Sequence, residues 1–213
     1  RNLPSKLLEP YLPEDLAVKT SLNGVLTGQY INQEDFIGVA DISLAEGEVR
    51  YQLQGRELIV PLKSTFVRAR AVPEGVESEL EIDWGKYLRA DGSGKMTSLF
   101  EKNEILGSVK ADIPSYDWVA PLFPYLQELG GEIALNADVK GTLDNPTIRA
   151  NFSVKDGRVF LPNYNARFRN INLTANLPER SSEIAIRGNI GTEQGTLNIN
   201  GSYNLANLNA SVN

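Results

Sequence analysis

The sequence predicts an all-β protein, and three observations carry that prediction. Apolar and polar residues alternate with period two over most of the chain, the mark of half-buried strands. Short clusters of Gly, Asp, Asn and Pro punctuate the alternating runs as turns do. Only two stretches, both framed by prolines, space their apolar residues as a helix would. Roughly a dozen strands follow, with successive strands pairing as an antiparallel meander.

The first proline-framed stretch is 2–15, with Pro4, Pro10 and Pro13 around Leu7, Leu8, Tyr11 and Leu12. Proline interrupts helical hydrogen bonding, so a short amphipathic turn is expected there. Leu16, Val18, Thr20, Leu22, Gly24 and Leu26 then share one parity, with Lys19, Ser21 and Asn23 on the other. At 41–51, Glu46-Gly47 predicts a hairpin setting Leu44 against Val49 and Ile42 against Tyr51. Over 76–84, Val76, Leu80, Ile82 and Trp84 alternate with Glu77, Glu79, Glu81 and Asp83. Asp91-Gly92-Ser93-Gly94 is expected to be a turn, as are Asp144-Asn145-Pro146 and the stretch from Gly188 to Gly195.

The second proline-framed stretch, 112–129, carries Pro114, Pro121 and Pro124, with Trp118, Leu122, Phe123, Leu126 and Leu129 on one helical face. Ile133, Leu135, Ala137 and Val139 resume the alternation. Asp156-Gly157 predicts a type I′ hairpin placing Val154 opposite Val159 and Phe152 opposite Leu161. Ile171, Leu173, Ala175 and Leu177 follow after a switch of register between Phe168 and Ile171. Ile184/Ile186 and Leu197/Ile199 complete the pattern.

The chain repeats itself at an offset of 110, from Leu3-Pro4-Ser5 against Ile113-Pro114-Ser115 through Asp41/Asn151, Gly47/Gly157 and Val49/Val159. Two β units are expected, 1–111 and 112–213, in one continuous sheet. The chain starts inside one motif and stops inside an alternating run, which reads as a fragment of a longer protein.

Composition narrows the function. The 213 residues carry a net charge of −6, and the 21 basic residues are scattered without aromatic interleaving, so nothing points to nucleic acid. Cysteine and histidine are both absent, which removes thiolate metal sites and the commonest general base. No run approaches the ~20 apolar residues of a membrane span.

Tempting sites have plainer readings. Asp91-Gly-Ser-Gly-Lys95 looks like a phosphate loop, but Arg89 stands where the first glycine belongs and Met96 where Ser or Thr belongs. Glu79, Glu81 and Asp83 lie on one strand face as paired carboxylates might, yet they alternate with an apolar face and read as a wet sheet surface. No Ser/Lys pair has a catalytic context. We expect no enzyme, no catalytic or metal-binding residues and no cofactor. Trp84 shares parity with Leu80 and Ile82 and reads as wall packing, whereas Trp118, Leu122 and Phe123 are candidates for a plug or rim.

The polar parity is strongly polar and the other parity apolar, with too few helices to cover it. Such a sheet must curl on itself, pack on a second sheet or leave a furrow open, and periodicity does not choose among these. The motifs resemble the TamB family, the inner-membrane-anchored subunit of the bacterial translocation and assembly module, in its C-terminal β region, with AsmA-like relatives. The carriers are Leu3-Pro4 to Pro13 and Ile113-Pro114 to Pro124, then Gly131-x-Ile133-x-Leu135, Gly141-Thr142-Leu143-x-x-Pro146, Asp156-Gly157, Leu161-Pro162 and Ile171-Asn172-Leu173. The first copy departs from the pattern after Gly28 and over 56–71.

The resemblance implies a long curled antiparallel sheet, a groove with a hydrophobic inner face. It implies a periplasmic protein, anchored in the inner membrane when full length, that meets an outer-membrane barrel partner. It further implies a conduit and scaffold carrying phospholipid or unfolded outer-membrane protein strands such as those of autotransporters. The apolar-parity residues expected to line the groove are Leu22, Leu26, Ile42, Leu44, Val49, Leu80, Ile82, Ile133, Leu135, Val139, Ile148, Phe152, Val154, Val159, Ile171, Leu173, Ile184, Ile186, Leu197 and Ile199. The alternative is an inert β-solenoid or sandwich stalk, as in a secreted adhesin, with a dry sealed interior.

Overall fold

The structure, a computed structural model, describes residues 2–4, 13, 15–31, 36–53, 55–97, 104–205 and 209–212. The first half contains β1 (Asn2–Pro4), β2 (Leu16–Lys19), β3 (Ser21–Tyr30), β4 (Phe36–Leu44), β5 (Gly47–Leu53), β6 (Arg56–Leu62), β7 (Ser64–Val72), β8 (Gly75–Asp83), β9 (Arg89–Thr97) and β10 (Glu104–Ile113). A 3-10 helix, Asp117–Leu122, leads to β11 (Gln127–Thr142) and β12 (Asn145–Leu161). A second 3-10 turn, Pro162–Tyr164, precedes β13 (Ala166–Leu177), β14 (Glu183–Thr192), β15 (Gly195–Asn204) and β16 (Asn209–Val212).

Thirteen strands form one antiparallel sheet in the order β1-β3-β4-β7-β8-β9-β10-β11-β12-β13-β14-β15-β16. β2, β5 and β6 form a second, three-stranded sheet. The long sheet is not closed into a barrel. The fold is an all-β curled sheet with an apolar inner face and, among the described residues, two short helical segments.

The curl comes from a crease. In the first half the chain crosses from one sheet to the other at Thr20, at residues 45–46 and at Lys63. Thr20 Oγ1 donates to the Ala45 carbonyl at 2.6 Å, and Ala45 N–H donates to Ser21 O at 2.9 Å, so two crossings brace each other. Gly47 is needed because a Cβ there would lie 2.8 Å from Thr20 Cβ.

Glu46-Gly47 therefore does not close a hairpin. Leu44 pairs with Leu22 and Thr65, while Val49 pairs with Val18 and Val60 in the other sheet.

In the second half the same corner is made by β-bulges. Asp156-Gly157 is not a hairpin either, since β12 runs straight through it as one 17-residue strand. A type I′ turn needs two successive residues at positive φ; here Asp156 (φ 50°) adopts one and Gly157 does not. The ladders to β11 and β13 both slip at this point, the signature of an inserted residue. Asn170 (φ 48°) makes the matching bulge in β13, at the register switch expected between Phe168 and Ile171. Asn172 stitches the two together: its Oδ1 accepts from Asp156 N–H at 3.1 Å and its Nδ2 donates to Asn170 O at 3.0 Å. Because each bulge adds one residue, Val159 stays on the face of Val154 and Phe152, without facing either across a hairpin.

Three further expectations are corrected. Asp91-Gly92-Ser93-Gly94 lies in the middle of β9, with Asp91, Ser93 and Lys95 turned to one side and the glycines to the other. The stretch from Gly188 to Gly195 is mostly strand, with its turn at 193–194. The helix expected over 112–129 shrinks to six residues, because Asp112 and Ile113 still belong to β10, Pro124 follows just past its end and Gln127–Leu129 already belong to β11. In the first proline-framed stretch, 5–12 and 14 lie outside the described residues.

Little of the molecule is core. Among the described residues the buried apolar side chains are Leu58, Val60, Leu62 and Ala90, joined by Thr65. The accessible surface is 14150 Å², against about 9,700 Å² for a compact monomer of this mass.

Candidate functional site: an open apolar trough

Residues directly opposite one another in a ladder share a face, so the registers trace the inner face strand by strand. One row runs Leu22, Leu44, Thr65, Ile82, Ala90, Ala111, Leu135, Phe152, Ala175, Ile186 and Gly201, one residue from each of eleven successive strands of the sheet. A second row runs Gly24, Ile42, Val67, Leu80, Gly92, Val109, Ala137, Ala150 and Leu177. No charged residue stands in either row. Ile42 is 41 % exposed, Ile148 48 % and Phe152 38 %, so this part of the face is open rather than sealed.

The candidate lining residues fall into three groups. Leu22, Leu26, Ile42, Leu44, Leu80, Ile82, Ile133, Leu135, Val139, Ile148, Phe152, Val154, Leu173, Ile184, Ile186, Leu197 and Ile199 share the inner face of the long sheet. Val159 and Ile171 lie at or beyond the crease. Val49 belongs to the three-stranded sheet, between Val18 and Val60.

Sequence reasoning missed the floor. Ala69, Ser78, Gly94 and Gly107 make a row almost without side chains. Val76, Met96, Ile105, Val109, Val139 and Ile148 stand around its Gly94–Gly107 portion and enclose a concavity of about 530 Å³. The signal was present as glycines at the inward parity of an alternating run, and the Asp-Gly-Ser-Gly pattern hid it by reading as a turn.

The outer face is wet and cross-linked by ion pairs. Arg68 Nε meets Asp41 Oδ1 at 2.6 Å, Lys95 meets Glu77 at 3.3 Å and Arg149 meets Asp138 at 2.6 Å. The Arg68 hydrogen bond holds the Asp41 carboxyl below its ordinary range. Glu79, Glu81 and Asp83 are exposed on this face, spread along one strand, and no group of His, Cys, Asp or Glu among the described residues is placed to hold a metal ion. Lys95 and Met96 sit on opposite faces of β9, so the lysine and its neighbouring glycines form no loop around a phosphate.

Across the crease stands a shorter second wall. β2, β5 and β6 build it in the first half, and the strand segments 127–130, 157–161 and 166–169 build it in the second. The 3-10 helix touches both β6 and β11 and fills the interval between them. Trp84 Nε1 donates to the buried Thr65 hydroxyl at 2.9 Å, fixing the β8–β9 turn beneath this wall. Trp118 packs edge-on against Tyr87 with ring centroids 5.6 Å apart. Leu122 is half-buried, and Phe123, just past the helix, meets Tyr125 edge-on at 6.1 Å.

The arrangement has apolar shape, and what it offers chemically is a long surface for chains without hydrogen-bonding needs. No helix among the described residues is long and apolar enough to cross a membrane. Comparison with curated proteins and with solved structures returns no match. Residues 1–154 match the family model described as "TamB, N-terminal domain", so the family is the one the motifs resemble, under the label of its N-terminal domain rather than its C-terminal region. The chain belongs to the TamB family, structural or transport modules with an envelope-associated role in translocation and assembly.

Proposed function

We propose that the trough is a conduit and scaffold whose inner face carries the acyl chains of phospholipids, or unfolded strands of outer-membrane proteins, between the two membranes of a Gram-negative envelope. The observation that carries this reading is the pair of uncharged rows on the inner face, left uncovered at Phe152 in the first and at Ile42 in the second. Acyl chains cost little to place there, since each CH₂ moved out of water onto apolar walls returns up to ~0.8 kcal/mol. In this reading the full-length protein is periplasmic, anchored in the inner membrane, and delivers to an outer-membrane barrel partner. The exposure of Ile42, Ile148 and Phe152 disfavours the sealed stalk.

In-cell photo-crosslinking tests it, with a photoreactive residue at Phe152 and a control at Asn151 on the outer face. Lipid adducts at 152 and none at 151 are expected. Protein adducts at 152 would assign the trough to strand clients. Silence at both positions in a folded protein would overturn the conduit.

A further inference from the structure

The segment that fills the second wall, residues 114–126, is held differently from everything around it. Of its backbone hydrogen bonds, one reaches the sheet, Tyr116 N–H to Gly131 O at 3.2 Å; Val119, Phe123 and Leu126 bond back only within the segment. The 3-10 helix has no side-chain cap, encloses Pro121 and buries none of its residues.

Its N-terminal end is nonetheless firmly seated. The Tyr116 ring lies where the missing side chains of Gly131 and Gly157 would be, within 2.9 Å of a Cβ built on either. Two residues on, the attachment changes character. Trp118 is held by its edge contact with Tyr87, while its indole N–H is shut away from water with no acceptor. A buried donor without a partner is costly, so the closed position is held by apolar contact against a standing polar penalty.

We propose that residues 114–126 are a displaceable gate in the second wall, hinged at Tyr116 and latched by Trp118 on Tyr87, which opens the trough sideways to an apolar chain. Swinging out lets the indole N–H reach water and leaves the β6 edge and the 127–130 segment of β11 as gateposts. Pro61 suits β6 to that role, because it removes a backbone donor from an edge that would otherwise recruit a strand. The identity of the entering chain rests on the conduit reading above; the gate does not.

The test compares wild type, Trp118→Phe and Trp118→Ala. Phenylalanine keeps the ring contact and removes the orphaned donor, whereas alanine removes the latch. In the ligand-free protein, amide hydrogen exchange over 119–126 is expected to slow about five- to tenfold in Trp118→Phe and to quicken in Trp118→Ala, with β11 and β12 unchanged. A fluorescent fatty acid, 11-(dansylamino)undecanoic acid, should associate fastest with Trp118→Ala and slowest with Trp118→Phe. Exchange at 119–126 that is unmoved, or moves together with β11 and β12, overturns the gate. The exchange order without fatty-acid uptake by any variant keeps the gate and overturns the acyl-chain reading.

Discussion

At Gly157 a single missing side chain decides the course of a strand. A Cβ there would meet both Ile171 Cβ and the Tyr116 hydroxyl at 2.9 Å, closer than either can stand without shifting. Gly157→Val should therefore destabilise by about 1–3 kcal/mol, read as a lowered urea midpoint. Asp41 tests the outer face. Its hydrogen bond from Arg68 holds the folded carboxyl below its ordinary 3.8, so the pair's contribution is fully present above that value and is lost as pH falls through the lower folded value. The urea midpoints of wild type and Asp41→Asn should differ at neutral pH and converge in acid; a difference that persists once Asp41 is protonated would remove the ion pair as its cause.

Between elements, the two walls should respond oppositely to the same chemistry. Leu62, on β6, is 2 % exposed and Leu62→Ala should cost about 2–5 kcal/mol. Phe152, on the long sheet, is 38 % exposed, so Phe152→Ala should fall well below the ~3–5 kcal/mol of a buried phenylalanine. Phe152→Asp should stay folded by circular dichroism melting while losing crosslinked cargo, and collapse on melting would speak for a closed interior. Trp84→Phe leaves the Thr65 hydroxyl buried without its donor and should lower Tm by the equivalent of about 1–3 kcal/mol.

The molecule as a whole is half-open, and its unfolding should say so. Denaturant slopes scale with the surface newly exposed on unfolding, and much of the inner face is already exposed at 14150 Å² of accessible area. The urea m-value should be lower than that of a compact protein of 213 residues; a slope equal to a compact protein's would mean the trough closes in solution. The two-unit division at 111/112 remains our proposal for how the sheet is built, resting on the matched corners at Gly47 and Gly157.

Alternation by itself determined that Leu80 and Ile82 share a face that Glu79 and Glu81 do not, because a side-chain period of two is local to each strand; that Leu135 and Phe152 join them took the registers between strands. The ordered motifs revealed the offset of 110, which sets Gly47 against Gly157. What either glycine does, only the tertiary structure decided: Gly47 stands just past a crossing between sheets, and Gly157 in a bulge within one strand. Asp-Gly is equally suited to a type I′ turn and to a bulge, and the choice depends on whether neighbouring strands run past it, as β11 and β13 do at Asp156. The glycines of β9 likewise resemble a turn until β8 and β10 pair along both sides of them. Pairing between distant strands settles such cases, and no short window of sequence contains it.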